Sequence, residues 1–125
     1  MFNFTISLIL THFLADWVMQ PRWMAQRKSK EPFLCLYHGI ITGLFLFLTY
    51  GLNSLYGLKI NWEIAIIVSI VYLVCHSVQD WLIWRIYGKC MKKEFYEDYW
   101  FYSTIAIDQS IHLSLMLWLS TFVIM

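Results

Sequence analysis

From Phe33 to Leu58 the chain carries no Asp, Glu, Lys or Arg, a stretch longer than the ~20 residues that an apolar helix needs to cross a bilayer. Three further segments repeat the pattern with one acid each: Asp16 in the first, Asp80 in the third and Asp108 in the fourth. A soluble fold cannot absorb all of this. Of 125 residues, 60% are hydrophobic and only 14% charged, against roughly 45–50% and 25% in soluble domains, and a small domain has too much surface to bury the excess. The expected fold is all-α, a polytopic membrane protein with four transmembrane helices (roughly 1–20, 33–52, 63–84 and 99–122). They should form one compact bundle, a single domain over 1–125. The first segment lacks the basic start and small-residue cleavage site of a signal peptide, so it is expected to stay as a helix.

Charge placement sets the orientation. Arg22, Arg27, Lys28 and Lys30 lie between the first two segments, and Arg85, Lys89, Lys92 and Lys93 between the last two; only Lys59 lies in the middle connection. The positive-inside rule puts the two basic loops in the cytoplasm and both termini outside. Trp17, Trp23, Trp81, Trp84 and Trp100 gather beside those loops, as an interfacial aromatic belt does. Pro21 and Pro32 bracket the first loop and should stop one helix and bound the next. The string RIYGKCMKKEFYED alternates aromatic and basic residues and reads as a short interfacial helix. Cys35, Cys75 and Cys90 form no motif and read as small hydrophobes.

The polar residues inside the spans carry the chemistry. They are His12, Asp16, His38, His76, Asp80, Asp108 and His112, and they include all four histidines of the chain. Six of them form three pairs spaced i, i+4 (His12/Asp16, His76/Asp80 and Asp108/His112), a spacing that puts both side chains on one helix face. The order is reversed in the last pair, as is the direction of that helix, so every aspartate falls nearer the cytoplasm than its histidine. Asp16 stands six residues before Arg22, Asp80 five before Arg85, His38 six after Pro32 and Asp108 eight after Trp100. At ~1.5 Å per residue, all four helices present acids and imidazoles at about one depth.

Each isolated intramembrane aspartate costs about 2.5–3.5 kcal/mol on insertion scales, so three of them must find partners in the bundle interior. One histidine alone is usually an interhelical hydrogen-bonder, and one Asp/His pair could equally be a proton relay. Three pairs in register, with His38, favour a divalent metal, for which carboxylate and imidazole are ordinary ligands. Seven residues exceed the needs of one tetrahedral ion, so two ions bridged by an aspartate (zinc, manganese or iron) are expected. Gln20, Gln79 and Gln109 adjoin the polar face and are expected either to orient ligands or to bond between helices.

The strings HFLADWVMQPRWMAQRKS, HSVQDW and IDQSIH, with a lone histidine in the second helix, resemble the domain-of-unknown-function family 3307, small integral membrane proteins of bacteria and phages. The likeness covers nearly the whole chain and carries over His12, Asp16, Gln20, Lys28, His38, His76, Asp80, Asp108, Gln109 and His112. It implies the fold and topology, and an inner membrane as location (the host's, for a phage-encoded chain), but supplies no activity.

The function expected from the residues is a membrane-embedded, metal-dependent hydrolase acting on a lipid-type or phosphorylated substrate. Asp16, Asp80 and Asp108 are the candidate catalytic acids, one of them free to act as general base. Arg22 and Lys28 are candidates for holding a phosphate head group at the mouth. Membrane lipids are the expected partners, a homo-oligomer is a further option, and nothing points to nucleic acid. Two other classes fit the same residues: a metal-ion or proton transporter, and a non-catalytic membrane interaction protein in which the cluster holds the bundle together. The outer halves of the helices carry no charge or histidine, which disfavours transport by a single copy.

Overall fold

A computed structural model describes residues 3–28, 30–90 and 99–125. Every named element is helical: α1 (Phe4–Phe13), which continues through a π-turn (Leu14–Val18), then α2 (Arg22–Arg27), α3 (Pro32–Leu55), α4 (Trp62–Cys90) and α5 (Tyr99–Ser120). Two of them, Pro32–Leu55 and Trp62–Tyr87, are long and apolar enough to cross a membrane. Phe4–Val18 is apolar but shorter. The 22 residues of α5 have the length, but Asp108, Gln109, Ser110 and His112 dilute its apolar character. The interfacial helix expected after Arg85 divides: α4 runs on to Cys90, and 91–98, with Lys92 and Lys93, lie outside the described residues.

Local signals set the boundaries. The Asn3 side chain accepts from Thr5 N and caps α1. Pro32 opens α3, where its missing N–H costs nothing. The connection after α3 turns at Gly57 with φ +90°, a conformation that favours glycine. Asn61 caps α4 through its side-chain oxygen to Ile64 N, and its own N–H donates to Val123 O at 2.9 Å. An isolated antiparallel bridge, Ile60 to Ile124, ties the end of the chain to this loop.

Buried positions on α3 (Leu34, Cys35, His38, Gly39, Thr42, Gly43, Leu46, Thr49, Tyr50, Asn53) follow one helical stripe. Its glycines admit α4 closely. A Cβ at Gly39 would run into Ser77 Oγ and stand 2.8 Å from the Leu73 carbonyl oxygen; one at Gly43 would stand 3.0 Å from Leu73 Cβ and 3.1 Å from Ser69 O. This is the small-residue packing typical of membrane helices.

The interior divides into two parts. One holds an apolar core of Leu8, Leu46, Tyr50, Ile60, Ala65, Val68, Tyr72, Met116, Leu119 and Val123. Hydrogen bonds between helices cross this region: Thr11 with Thr49, Tyr50 Oη with Ser120 Oγ, and Asn53 Nδ2 donating to Ser7 Oγ. The other part is polar and holds the acids and histidines. Outside, Leu44, Leu48, Ile67, Ile70, Val74, Val78, Ile107 and Ile111 are exposed. Beside the apolar core, the bundle thus buries its acids and histidines and exposes many large apolar side chains, a surface more apolar than soluble domains usually carry.

Candidate metal centre

The π-turn presents Asp16, α3 presents His38, α4 presents His76 and Asp80, and α5 presents Asp108 and His112. All are buried, and His38, His76, Asp80 and His112 are fully so. Their ligand atoms form three overlapping groups able to hold a metal ion: Asp16/His76/His112, His38/His76/Asp80 and Asp80/Asp108/His112, each with its atoms within 4.8 Å of one another. Side chains from four separate helical segments thus share one small volume.

Some of these groups are satisfied by the protein. Asp16 Oδ1 lies 2.6 Å from His38 Nε2, and Asp16 Oδ2 accepts from Gln109 Nε2 at 2.6 Å. Others are not. His76 Nε2 stands 3.2 Å from Asp16 Oδ1 but is misaligned for a hydrogen bond, and 3.8 Å from Asp80 Oδ2. His112 Nε2 stands 3.9 Å from Asp80 Oδ1, and its Nδ1 is 3.6 Å from Asp108 Oδ1. Both nitrogens of His76 and of His112, and Asp80 Oδ1, are buried with no hydrogen-bond partner among the described residues. The two rings stack, centroids 3.9 Å apart and 22° between planes. Buried polar atoms are nearly always paired, so such a concentration calls for an explanation. Two atoms on one ion at ~2.0–2.2 Å lie no more than about 4.4 Å apart; separations of 3.2–3.9 Å suit a shared cation better than a hydrogen bond.

His12 falls outside the three groups. Its Nε2 is 2.9 Å from Gln109 Oε1, and the same oxygen accepts from Trp17 Nε1 at 3.1 Å. Gln109 therefore bridges His12 and Trp17 to Asp16. Gln79 Nε2 donates to the Asp108 carbonyl at 3.1 Å and contacts Oδ1 at 3.4 Å. Gln20, with its amide oriented to satisfy both neighbours, donates to Asp16 O at 3.2 Å and accepts from Lys28 Nζ at 2.7 Å. The three glutamines all contact the aspartates or their immediate partners.

Arg22 is exposed, whereas Lys28 is 5% exposed and donates to Asp80 Oδ2 at 2.7 Å. Lys28 is thus part of the cluster rather than of its mouth. Burial opposes its charge, but the Asp80 and Asp16 carboxylates outweigh that and raise its pKa above the ordinary lysine value. The sequence reading also passed over Tyr72, whose buried hydroxyl has no partner and whose ring lies 5.5 Å from that of His76. Its signal was available: Tyr72, His76 and Asp80 follow at i, i+4 and i+8.

Beside the cluster, a cavity of about 260 Å³ runs between the π-turn region and α5, lined by His12, Phe13, Trp17, Tyr102, Ile105, Ala106, Gln109, Ser110 and Leu113. Its polar lining includes His12 and Gln109, and Gln109 in turn bonds to Asp16.

No curated protein and no solved structure matches this chain. Residues 4–125 match the family described as protein of unknown function DUF3307, and the chain belongs to that family.

Proposed function

We propose that this protein is a membrane-embedded, metal-dependent hydrolase whose site lies in the cytoplasmic half of a four-helix transmembrane bundle, with both termini outside, in a bacterial or phage-infected inner membrane. The observation that carries the metal reading is the set of partnerless buried atoms on His76, His112 and Asp80, facing one another. The ion is zinc, manganese or iron by ligand type. A bound divalent ion lowers the pKa of its water to near ~7 and polarises a phosphoryl or acyl oxygen.

The protein's own groups divide the remaining work. Asp16 and Asp80 are engaged by contacts of 2.6 and 2.7 Å. Among the described residues, Asp108 has only the longer side-chain contacts to Gln79 and His112, which leaves it best placed to take a proton as general base. By the rise per residue, the site lies about 8–12 Å below the cytoplasmic surface, a depth that suits a lipid cleaved just beneath its head group. The apolar cavity beside His12 and Gln109 supports sideways entry of such a substrate from the bilayer. The polar groups that cross the apolar core are neutral hydroxyls and an amide paired with one another, with no acid or histidine among them, which favours hydrolysis over transport. Purified protein should contain stoichiometric metal by mass spectrometry and release product from a lipid-phosphate or acyl-ester library. Wild-type protein that binds no divalent ion would sink this reading.

A further inference from the structure

Lys28 has the features of a structural cation. Its backbone is fixed at both ends, the N–H donating to Met24 O at 3.0 Å and the carbonyl accepting from Cys35 Sγ at 3.3 Å. From there the side chain reaches inward, between Gln20 and Asp80, with 6% of its own surface exposed. The oxygen it takes, Asp80 Oδ2, is the one nearest His38 and His76, at 3.9 and 3.8 Å. The other oxygen, Oδ1, is partnerless and faces His112. Asp80 thus divides the cluster into a side that already holds a positive charge and a side that does not.

Charge counting gives the same division. Asp16, Asp80 and Asp108, ionised, bring three negative charges into the bundle and Lys28 returns one positive. The two that remain are cancelled by one divalent ion. A second would leave an excess of positive charge in a low-dielectric interior, where uncompensated charge is costly.

Building on the metal reading above, we propose that Lys28 is a built-in cation that takes the Asp80 Oδ2 side of the cluster and limits the site to one divalent ion, held by Asp80, His112 and one oxygen of Asp108, whose other oxygen stays free to take a proton. The seven candidate ligands of the sequence suggested two ions; Lys28 stands in for the second. In a hydrolase of anionic substrates the pairing has a use. The ion and the ammonium, on opposite oxygens of one carboxylate, supply two adjacent positive charges for a phosphoryl group, the arrangement that dinuclear sites make with two metals.

The test is metal stoichiometry of full-length protein in detergent, titrated with Zn²⁺ alone, with bound metal counted by mass spectrometry after removal of excess. Wild type should bind one ion per chain. Lys28→Met, which keeps the stem and removes the charge, should bind two, the second on the vacated His38/His76/Asp80 side. Lys28→Arg should return to one. Two ions on wild type, or one on a folded Lys28→Met, would overturn the proposal while leaving the metal reading intact. Should Lys28→Met fail to fold, the wild-type and Lys28→Arg counts still decide, since two on either contradicts it. No ion on wild type removes the metal reading itself, and this inference with it.

Discussion

Replacing Gly39 by alanine tests whether the α3–α4 contact holds the cluster together. A Cβ there collides with Ser77 Oγ and comes within 2.8 Å of the Leu73 carbonyl oxygen, against the ~3.5–4.0 Å of ordinary contact. The serine can rotate, at the cost of its own 2.8 Å bond to Leu73 O; the carbonyl belongs to the helix and cannot. The helices must part by several tenths of an ångström. Overpacking of this kind costs about 1–3 kcal/mol, against a helix-propensity gain of about 0.5–1 kcal/mol for Gly→Ala. The expected net loss is therefore about 0–2.5 kcal/mol. Gly51, with nothing within 4 Å of its would-be Cβ, is the internal control: Gly51→Ala should be neutral or gain up to about 1 kcal/mol. Gly43→Ala, meeting atoms at 3.0–3.1 Å, should fall between. His38 adjoins Gly39 and contacts Asp16 at 2.6 Å, so metal affinity should fall with stability in the same order. Reversible unfolding in mixed micelles by added dodecyl sulfate, monitored by tryptophan fluorescence, gives the free energies. Gly39→Ala as stable as Gly51→Ala would show that the helices are not seated as closely as described.

Three further outcomes are expected. Asp108→Asn keeps the size of the side chain, so hydrolysis should fall by about 10²–10⁴ if this group is the general base while the unfolding transition stays near wild type; a chelator that leaves wild-type melting unchanged, with a much lower melting point for Asp108→Asn, would make the cluster a polar staple instead. Gln109→Ala releases His12, Trp17 and Asp16 together and should weaken metal binding about 10–100-fold, as read by competition with a fluorescent chelator; an unchanged affinity would remove Gln109 from the site. A phosphatase reporter fused after Met125 should be active and a fluorescent reporter there dark, since the proposed topology puts the two loops with eight basic residues in the cytoplasm; the reverse pattern refutes the orientation.

Much of the site was legible because helical geometry is a property of spacing alone. Residues four apart share a face, so His76/Asp80 and Asp108/His112 could be placed together before any coordinate was known. Asp16 and His38 followed from depth counting. What spacing cannot give is which neighbour reaches a side chain first. His12 has the same separation from Asp16, yet Gln109 of α5 bonds its Nε2 and keeps it out of the three groups. Lys28 sits in a basic loop among residues that serve topology, and only the fold shows that its chain enters the bundle. The close approach of α3 and α4 has a sequence signal in the string GIITG, a glycine pair four apart, but spacing alone does not say which helix the glycine face meets. The number of spans was less well indicated: polar side chains in α5 and the early end of α1 leave two helices, not four, among the described residues that satisfy a membrane-crossing length and composition.

The π-turn has an evolutionary consequence. Its closing bond runs from Met19 N to Leu14 O, 3.0 Å, and encloses one residue more than an α-helical bond would. Losing one residue of this turn other than Asp16 would let the same two groups meet as an ordinary i→i−4 pair, with the preceding helix in its former phase. Elsewhere in a bundle helix, one residue lost turns everything beyond it by about 100°. Length change by one residue is therefore cheap here and ruinous a turn away. Family members that differ in length within the helices should do so at this segment before any other, with His38, His76 and Asp80 still opposite the same acid.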